Sequence, residues 1–287
     1  MPDAANKTHL QCLQVWGGTE AADQALAMTG LDGYLYARPH RGAKRGGDVY
    51  YISSCASGRI TRAILADVAG HGSQVAETAQ DLRSIMQRYV NFTSQQRFMR
   101  AMNQKFAEIT EDGRFATTVA MSFFAPTRKL SLSNAGHPAP IWYRAKDKQW
   151  IVLGIDPTDD TADVSVDLPF GIETDAGYQQ VDVAFHPGDL LLLYTDALIE
   201  SRDAQGNMLG VRGLADRLNT LGEHAPARLI PALVQCLTED DQHDLTDDDV
   251  TVLLLAANGI KGEWRKTLMG PINVVRGMLK GVPVGAG

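Results

Sequence analysis

The segment that most restricts the fold of this chain is an apolar run, residues 63–66, which leads into Asp67 and then into a turn rich in small residues, 70–72. The following segment, residues 73–91, has apolar residues at helical spacing, which predicts a helix with one buried face. A buried strand that delivers one carboxylate beside a helix N-terminus is a common way to place a metal ligand or a phosphate contact. The pattern therefore predicts a strand, a glycine turn and a helix, with Asp67 at a candidate functional edge.

Other acids occupy similar positions, at the point where an apolar strand begins or ends: Asp48, Asp196, and Asp248 or Asp249. Turn chemistry alone explains any one of them, because aspartate is disfavoured inside strands. Taken together, with no paired Cys or His ligands, they favour a metal site built from oxygen atoms only. Mg²⁺ and Mn²⁺ prefer such ligands, and clustered aspartates would repel one another unless cations lay between them.

The order of the predicted elements favours the α+β class. Two helices, residues 73–91 and 95–110, are followed by many short segments with the pattern of antiparallel strands. Two further helices, residues 211–221 and 225–237, come before a last apolar strand at residues 250–256. We therefore expect a domain of sheets covered by helices.

The chain divides into three parts by its residue pattern. We assign residues 31–258 to one domain and residues 1–30 to an N-terminal extension, in which residues 20–28 are compatible with a short helix. Residues 259–287 form a basic tail with apolar residues at helical spacing. Such an amphipathic stretch is typical of a segment that lies on a membrane surface or docks on a partner, and packing against its own domain is an equally open alternative.

The amino-acid composition argues against nucleic-acid-binding, secreted and membrane-spanning proteins. The net charge of -7 argues against a general affinity for nucleic acid. The cysteines, Cys12, Cys55 and Cys236, are far apart and form no CxxC pair, which fits a reducing cytoplasm. Residues 1–14 lack an apolar core of signal-peptide length, and no apolar run reaches the ~18 residues of a membrane span. We expect a cytoplasmic protein.

Several motifs, taken in order, resemble those of the metal-dependent PP2C-type protein phosphatases, in their bacterial SpoIIE/RsbU-like branch. They extend over roughly residues 31–256, and several independent motifs in the family's order are more specific than a lone glycine pattern. The motifs are GGDVY at 46–50, ADVAGHG at 66–72, FATT at 115–118, SNAGHP at 133–138, LPFG at 168–171, PGD at 187–189, YTDALIE at 194–200 and DDVT at 248–251.

The resemblance implies a PP2C-like α-β-β-α sandwich of two antiparallel sheets flanked by helices, with two Mn²⁺ or Mg²⁺ ions at one edge. It implies hydrolysis of phosphoserine or phosphothreonine on a protein, by direct attack of a hydroxide that bridges the metals. It also implies a substrate class, the phosphorylated STAS-type anti-sigma-factor antagonists. The metal ligands that it implies are Asp48, Asp67, the backbone carbonyl of Val68, Asp196 and Asp248, with Asp249 as the alternative to Asp248 and otherwise a supporting residue.

Two histidines and an asparagine of these motifs are further candidates. His71 is a candidate to orient the attacking water or to protonate the leaving oxygen, alongside Asp48 and Asp67 as catalytic residues. A turn histidine that bonds nearby backbone is the competing interpretation of His71. We expect His137 and Asn134 to support the site through a turn.

A basic cluster precedes the first acid. Arg38, Arg41 and Arg45, with Lys44 among them, are candidates to bind the substrate phosphate, because guanidinium groups match phosphate oxygens. A solvated basic loop explains the same cluster.

One departure from the family pattern bears on function. Tyr51 stands where the first motif usually has an aspartate, which puts an accessory role for that acid in doubt. Besides an active phosphatase, two alternatives therefore stay open: a catalytically silent scaffold that binds a phosphorylated partner, and a hydrolase of small phosphoesters. No sensor domain fits within residues 1–30, so signal input is expected from another chain, from a homodimer or through the tail.

Overall fold

The computed structural model describes residues 7–10, 14–55, 58–69, 73–110, 114–154, 166–202, 206–240, 245 and 248–259. The strands are β1 (Thr8–His9), β2 (Val15–Gly18), β3 (Ala22–Met28), β4 (Leu31–Arg38), β5 (Asp48–Cys55), β6 (Ile60–Val68), β7 (Ala116–Phe124), β8 (Lys129–Ala135), β9 (Ile141–Arg144), β10 (Gln149–Val152), β11 (Val181–Ala184), β12 (Leu190–Tyr194) and β13 (Val250–Ala257). The helices are α1 (Ser73–Tyr89), α2 (Gln95–Ile109), α3 (Ala197–Glu200), α4 (Gly210–Leu221) and α5 (Pro226–Asp240), and a short 3₁₀ helix covers His40–Gly42.

The strands of the described residues form two sheets. Sheet 1 has the order β1-β3-β4-β13-β12-β9-β10, and sheet 2 has the order β11-β8-β7-β6-β5-β2. Neighbouring strands are antiparallel except for β1 and β3, which are parallel. The element order thus gives two stacked, largely antiparallel sheets, as the α+β prediction requires.

Three apolar layers hold the elements together. One layer joins the facing sides of the two sheets, a second joins sheet 2 to α1 and α2, and a third joins sheet 1 to α3, α4 and α5. The central strand β12 is apolar throughout because both of its faces are covered: Leu191 and Leu193 pack between the sheets, whereas Leu190 and Leu192 pack under the helices. The predicted α-β-β-α sandwich is confirmed.

The N-terminal region differs from the prediction. The short helix predicted for residues 20–28 is wrong, because Ala22–Met28 forms strand β3, which pairs with β4 along its whole length. Its Ala, Gln, Leu and Met residues favour a helix locally, but burial of Leu26 and Met28 between the sheets overrides that preference. Strand β2 likewise pairs with β5 of sheet 2, so described residues of the predicted extension belong to both sheets.

At the β10 edge of sheet 1, a side chain forms hydrogen bonds with the backbone of the outermost strand. Strand β10, which the sequence analysis did not predict, pairs with β9 on one side only. On the other side, Asn219 of α4 accepts a hydrogen bond from the Trp150 N–H at 2.8 Å and donates one to the Trp150 carbonyl at 3.1 Å. One amide side chain therefore satisfies the outward peptide groups of an edge residue.

The buried guanidinium of Arg62 links sheet 2 to helices α1 and α2. Arg62 is 0% exposed, and its guanidinium lies 4.7 Å from the ring centre of Phe98 on α2. Its Nε donates to Ser122 Oγ at 3.0 Å, and Nη1 donates to the Val90 carbonyl just beyond α1. The Ser122 hydroxyl donates in turn to Gln95 on α2. Arg62 thus joins the corner between α1 and α2 to the sheet beneath.

We expect Arg62→Met to lower the free energy of unfolding by about 2–4 kcal/mol, because Val90 and Ser122 lose a charged, buried donor. Urea denaturation measures this change. Arg59→Met is the matched control, since Arg59 lies in the partly exposed turn before β6, and a change within ~0.5 kcal/mol is expected there. Equal effects of the two substitutions would contradict a special role for Arg62.

No helix among the described residues is long and apolar enough to cross a membrane. The predicted amphipathic tail lies outside the described residues, apart from Gly259.

Candidate metal centre

Strand pairing in sheet 2 brings the first two acids together. Asp48 opens β5 and is the direct cross-strand partner of Asp67, near the end of β6. Both side chains share the face of their strands that packs between the sheets, because Tyr50 and Leu65, two residues along from each acid, belong to that layer. Asp48 is only 6% exposed. The pair therefore lies at one end of the space between the sheets.

Sheet 1 supplies the other acids at the same end. Asp196 follows β12, and Asp248 and Asp249 precede β13, the antiparallel neighbour of β12. Two hydrogen bonds join this end of sheet 1 to the start of β5 in sheet 2. Thr195 Oγ1 donates to Asp48 Oδ2 at 2.8 Å, and the Gly47 N–H donates to Asp249 Oδ2.

A glycine pair makes room for these oxygens. A Cβ atom on Gly47 would lie 3.4 Å from Asp249 Oδ2, 3.4 Å from Asp67 Oδ1 and 3.5 Å from the Val68 carbonyl oxygen. On Gly46 it would lie 2.5 Å from Asp249 Oδ2, so the Asp249 carboxylate would have to move. Carboxylate and carbonyl oxygens from both sheets thus converge around a point that a larger residue would fill.

The acids raise one another's pKa. Burial raises the pKa of Asp67 to about 6, and the charges of Asp196, Asp248 and Asp249 add to this effect. Burial also raises the pKa of Asp48 well above its usual range, against hydrogen bonds from Thr251 and Thr195 that favour the ionised form. The pKa of Asp196 is raised by burial and then by Asp248. Each charge is therefore unfavourable without a compensating cation.

The acids are not all free to bind at once. Among the described residues, no group of three or more His, Cys, Asp or Glu side chains is arranged to hold a metal ion. Asp249 accepts the N–H groups of Gly47 and, at 2.6 Å, of His40, while Asp248 Oδ1 accepts the Asp249 N–H at 2.7 Å. The donor set is nonetheless hard oxygen throughout and fits Mg²⁺ or Mn²⁺, provided that carboxylates such as Asp248 turn toward the cation.

The other predicted supporting residues form a tight turn. Asn134 Oδ1 accepts the His137 N–H at 2.8 Å, and its Nδ2 donates to the His137 carbonyl at 2.7 Å. The His137 ring is buried, with Nδ1 2.9 Å from Thr117 Oγ1. Burial lowers its pKa to about 3, so the ring is neutral at physiological pH. His71 lies outside the described residues.

The predicted phosphate-binding arginines have different surroundings. Arg38 lines a small pocket together with Asp48 and Asp249. Arg45 instead pairs with Glu20 at 3.1 Å on the exposed surface, and Arg41 lies in the 3₁₀ helix with a φ of 47°. Of the three, Arg38 is the one that lines this pocket.

Comparison with known proteins places the chain in a family. The family described as Stage II sporulation protein E (SpoIIE) matches residues 57–258, more than half of the 287 residues. The chain belongs to the SpoIIE family. The matched part includes Asp67, Asp196 and the Asp248–Asp249 pair, but it begins after Asp48, so the place of Asp48 depends on the contacts given above.

Relatives of the SpoIIE domain agree with this assignment. The phosphoserine phosphatase RsbP of Bacillus subtilis (strain 168) is 22% identical over 142 residues, which cover 48% of this chain and 32% of RsbP. The solved RsbU and RsbW domains of a Mycobacterium tuberculosis protein superpose with a TM-score of 0.65 at 22% identity, covering 82% of this chain and 62% of theirs. The chain therefore spans less than two thirds of both of these relatives.

The fold has a further counterpart in a solved SpoIIE protein. The PP2C phosphatase domain of Bacillus subtilis SpoIIE, solved with a fragment of its regulatory domain, gives a TM-score of 0.65 at 14% identity. The superposition covers 85% of this chain and 71% of that one. The expected resemblance to PP2C-type proteins and their sandwich fold is confirmed.

Two residues of the SpoIIE domain escaped the sequence analysis. Thr195 and Thr251 are buried and contact Asp48 from sheet 1. The signal was present in the sequence, since each threonine lies within three residues of a candidate ligand at the end of an apolar strand. A buried hydroxyl in that position needs a polar partner, and a carboxylate from another strand supplies one.

We expect the metal-free SpoIIE domain to lose stability between about pH 4 and pH 6. Asp67 keeps its proton up to about pH 6 in the folded chain, whereas it ionises near pH 4 in the unfolded chain. The folded chain then binds more protons over this interval, so the free energy of unfolding falls as the pH rises. Asp67→Asn should raise that free energy by about 1–3 kcal/mol at neutral pH in EDTA.

Urea denaturation at about pH 4 and about pH 7.5 tests this expectation. The advantage of Asp67→Asn should be small at the lower pH, where the wild-type carboxyl is protonated. Asp216→Asn, on the exposed face of α4, is the control and should stay within ~0.5 kcal/mol. A metal-free Asp67→Asn protein less stable than wild type at pH 7.5 would show that burial of the Asp67 charge and its repulsion by the other acids do not lower the stability of the wild type.

Proposed function

We propose that this chain is a Mn²⁺- or Mg²⁺-dependent protein serine/threonine phosphatase. The observation that carries the proposal is the meeting of acids from both sheets at one edge, in a chain of the SpoIIE family. Asp67 Oδ1 and the Val68 carbonyl lie beside Gly47, and the charges of Asp196 and Asp248 act on Asp67. The name of the relative RsbP, a phosphoserine phosphatase, supports the same reaction. Hydrolysis of a phosphate monoester needs charge neutralisation and an activated water, and an acidic, oxygen-lined site is suited to cations that supply both.

The residues proposed to hold two cations are Asp48, Asp67, the Val68 carbonyl, Asp196 and Asp248. Two such ions, when bound, lower the pKa of a water molecule and neutralise phosphoryl oxygens. Asp249 has a different task, because its carboxylate accepts two backbone N–H groups and so holds the loop that precedes Asp48. Arg38, in the pocket beside Asp48, is positioned to bind the incoming phosphate.

The replacement at Tyr51 does not favour a silent scaffold. Tyr51 is 2% exposed and packs with Val49 in the layer under α1 and α2, on the face of β5 opposite Asp48. A residue at this position points away from the acids. Its change from the family pattern therefore leaves the proposed ligands in place.

A phosphorylated regulatory protein is the proposed substrate, and a STAS-type anti-sigma-factor antagonist is its proposed class. The name of RsbP supports a phosphoserine substrate, and the STAS class is what the resemblance to the SpoIIE/RsbU-like branch implies. Comparison of turnover on a phosphorylated STAS protein, a phosphoserine peptide and phosphorylated metabolites would separate the proposed substrate from a small phosphoester. A cytoplasmic location, a homodimer and partner contact through the tail stay predictions.

We expect Asp67→Asn and Asp196→Asn each to lower kcat with Mn²⁺ by at least ~100-fold, because each variant removes a charged metal ligand. Release of phosphate from a phosphoserine peptide measures kcat, and a thermal unfolding scan checks the fold. Asp216→Asn is the control and should keep wild-type turnover. Wild-type turnover in either site variant would refute the ligand assignment, whereas a wild-type protein that is inactive with Mn²⁺ would favour the scaffold.

We expect Arg38→Ala to raise KM for the phosphopeptide about 10-fold or more, since a charged hydrogen bond to phosphate is lost. Steady-state kinetics at saturating Mn²⁺ provide the measurement. Arg45→Ala is the matched comparison, because Arg45 is engaged with Glu20, and a change below ~3-fold is expected for an exposed pair. The opposite ranking would move the phosphate contact away from Arg38.

A further inference from the structure

A buried hydroxyl connects the two sheets at the acidic edge. Thr195, directly after β12 of sheet 1, is 0% exposed. Its Oγ1 lies 2.8 Å from Oδ2 of Asp48 in sheet 2. The N–H of Thr251, at the start of β13, donates to the same Oγ1 at 3.0 Å. The hydroxyl thus lies between a backbone donor of its own sheet and a carboxylate of the other.

The direction of these hydrogen bonds follows from the single proton that the Thr195 hydroxyl carries. A threonine hydroxyl has one proton to donate and lone pairs that accept. The Thr251 N–H uses a lone pair, which leaves the proton for an acceptor. Asp48 Oδ2 at 2.8 Å is a closer acceptor than the Thr251 carbonyl at 3.5 Å. Asp48 therefore receives a directed hydrogen bond from the end of β12.

The threonine side chain is also held in one orientation. Its backbone N–H donates to the Thr251 carbonyl at 3.0 Å, so the main chain is paired on the same residue that bonds its hydroxyl. A β-branched side chain has few accessible rotamers, and burial restricts them further. The Asp48 carboxylate is thereby anchored to the end of β12, next to Asp196.

We propose that Thr195 is a positioning residue that sets the Asp48 carboxylate relative to Asp196, and so determines how tightly the acidic edge binds a divalent cation. Two further hydrogen bonds join the sheets at this edge, from the Gly47 N–H to Asp249 and from Thr251 to Asp48. Elsewhere the sheets meet through apolar side chains, which fix the distance between their polar ends less sharply than a directed hydrogen bond does. This inference rests on the proposed function only in taking Asp48 and Asp196 as ligands of the same centre.

Mn²⁺ binding by isothermal titration calorimetry tests the proposal without any substrate. Thr195→Val keeps the shape but removes the hydroxyl, and we expect it to weaken Mn²⁺ binding about 10-fold or more, as removal of a group that orients a metal ligand does. Thr195→Ser keeps the hydroxyl and should stay within ~3-fold of wild type. Thr61→Val is the control, since Thr61 is a buried threonine of β6 whose hydroxyl makes no hydrogen bond in the described structure.

A double-variant comparison shows whether Thr195 acts through Asp48. In an Asp48→Ala background, Thr195→Val should weaken Mn²⁺ binding no further, because the carboxylate that it orients is gone. If Thr195→Val does not fold, as judged by thermal unfolding in EDTA, Thr195→Ala replaces it with the same expected loss, because it puts no methyl group against the carboxylate.

A folded Thr195→Val or Thr195→Ala protein with wild-type Mn²⁺ affinity would overturn the proposal. So would an equal loss in Thr195→Ser, or an equal loss from Thr195→Val with and without Asp48. Failure of the proposed function has a different signature: the wild-type protein would bind Mn²⁺, with the expected order among the variants, and yet release no phosphate from a phosphoprotein.

Discussion

The burial of several carboxylates at one edge, to which their mutual repulsion adds, is the constraint on which the rest of this structure depends. Asp48, Asp67 and Asp196 all have raised pKa values because burial and neighbouring acids disfavour their charges. Such a group cannot lie within an apolar core unless partners compensate it. The chain meets this constraint by placing the acids where strands end, with backbone N–H groups on Asp249 and a threonine hydroxyl on Asp48.

The sandwich is well suited to bring such acids together from distant parts of the sequence. Antiparallel pairing places the start of β5 beside the end of β6, and the end of β12 beside the start of β13. Stacking of the two sheets then brings these pairs to one edge, where Asp249 of sheet 1 holds the backbone of Gly47 in sheet 2. Apolar packing between the sheets thus supplies the stability that the acidic edge lacks.

The sequence predicted the parts of the fold whose local pattern and final environment agree. Strand β12 was predictable because it is apolar on both faces. Asp196 was predictable as a candidate ligand because an acid just after a fully apolar strand stands out from its surroundings. Strand β3 was not, since its residues favour a helix and only pairing with β4 makes them a strand. Thr195 and Arg62 escaped for a related reason, because their roles arise from partners far away in the sequence, Asp48 and Val90.

The amide of Asn219 has a consequence for the behaviour of the molecule at high concentration. An exposed edge strand offers free peptide groups on which another chain can add a strand, which is a route to domain swapping and fibrous aggregates. At Trp150 both outward groups are already engaged by a side chain from α4. A strand from another molecule that added along β10 would have to displace the Asn219 side chain first. The backbone of Trp150 is therefore protected from intermolecular pairing.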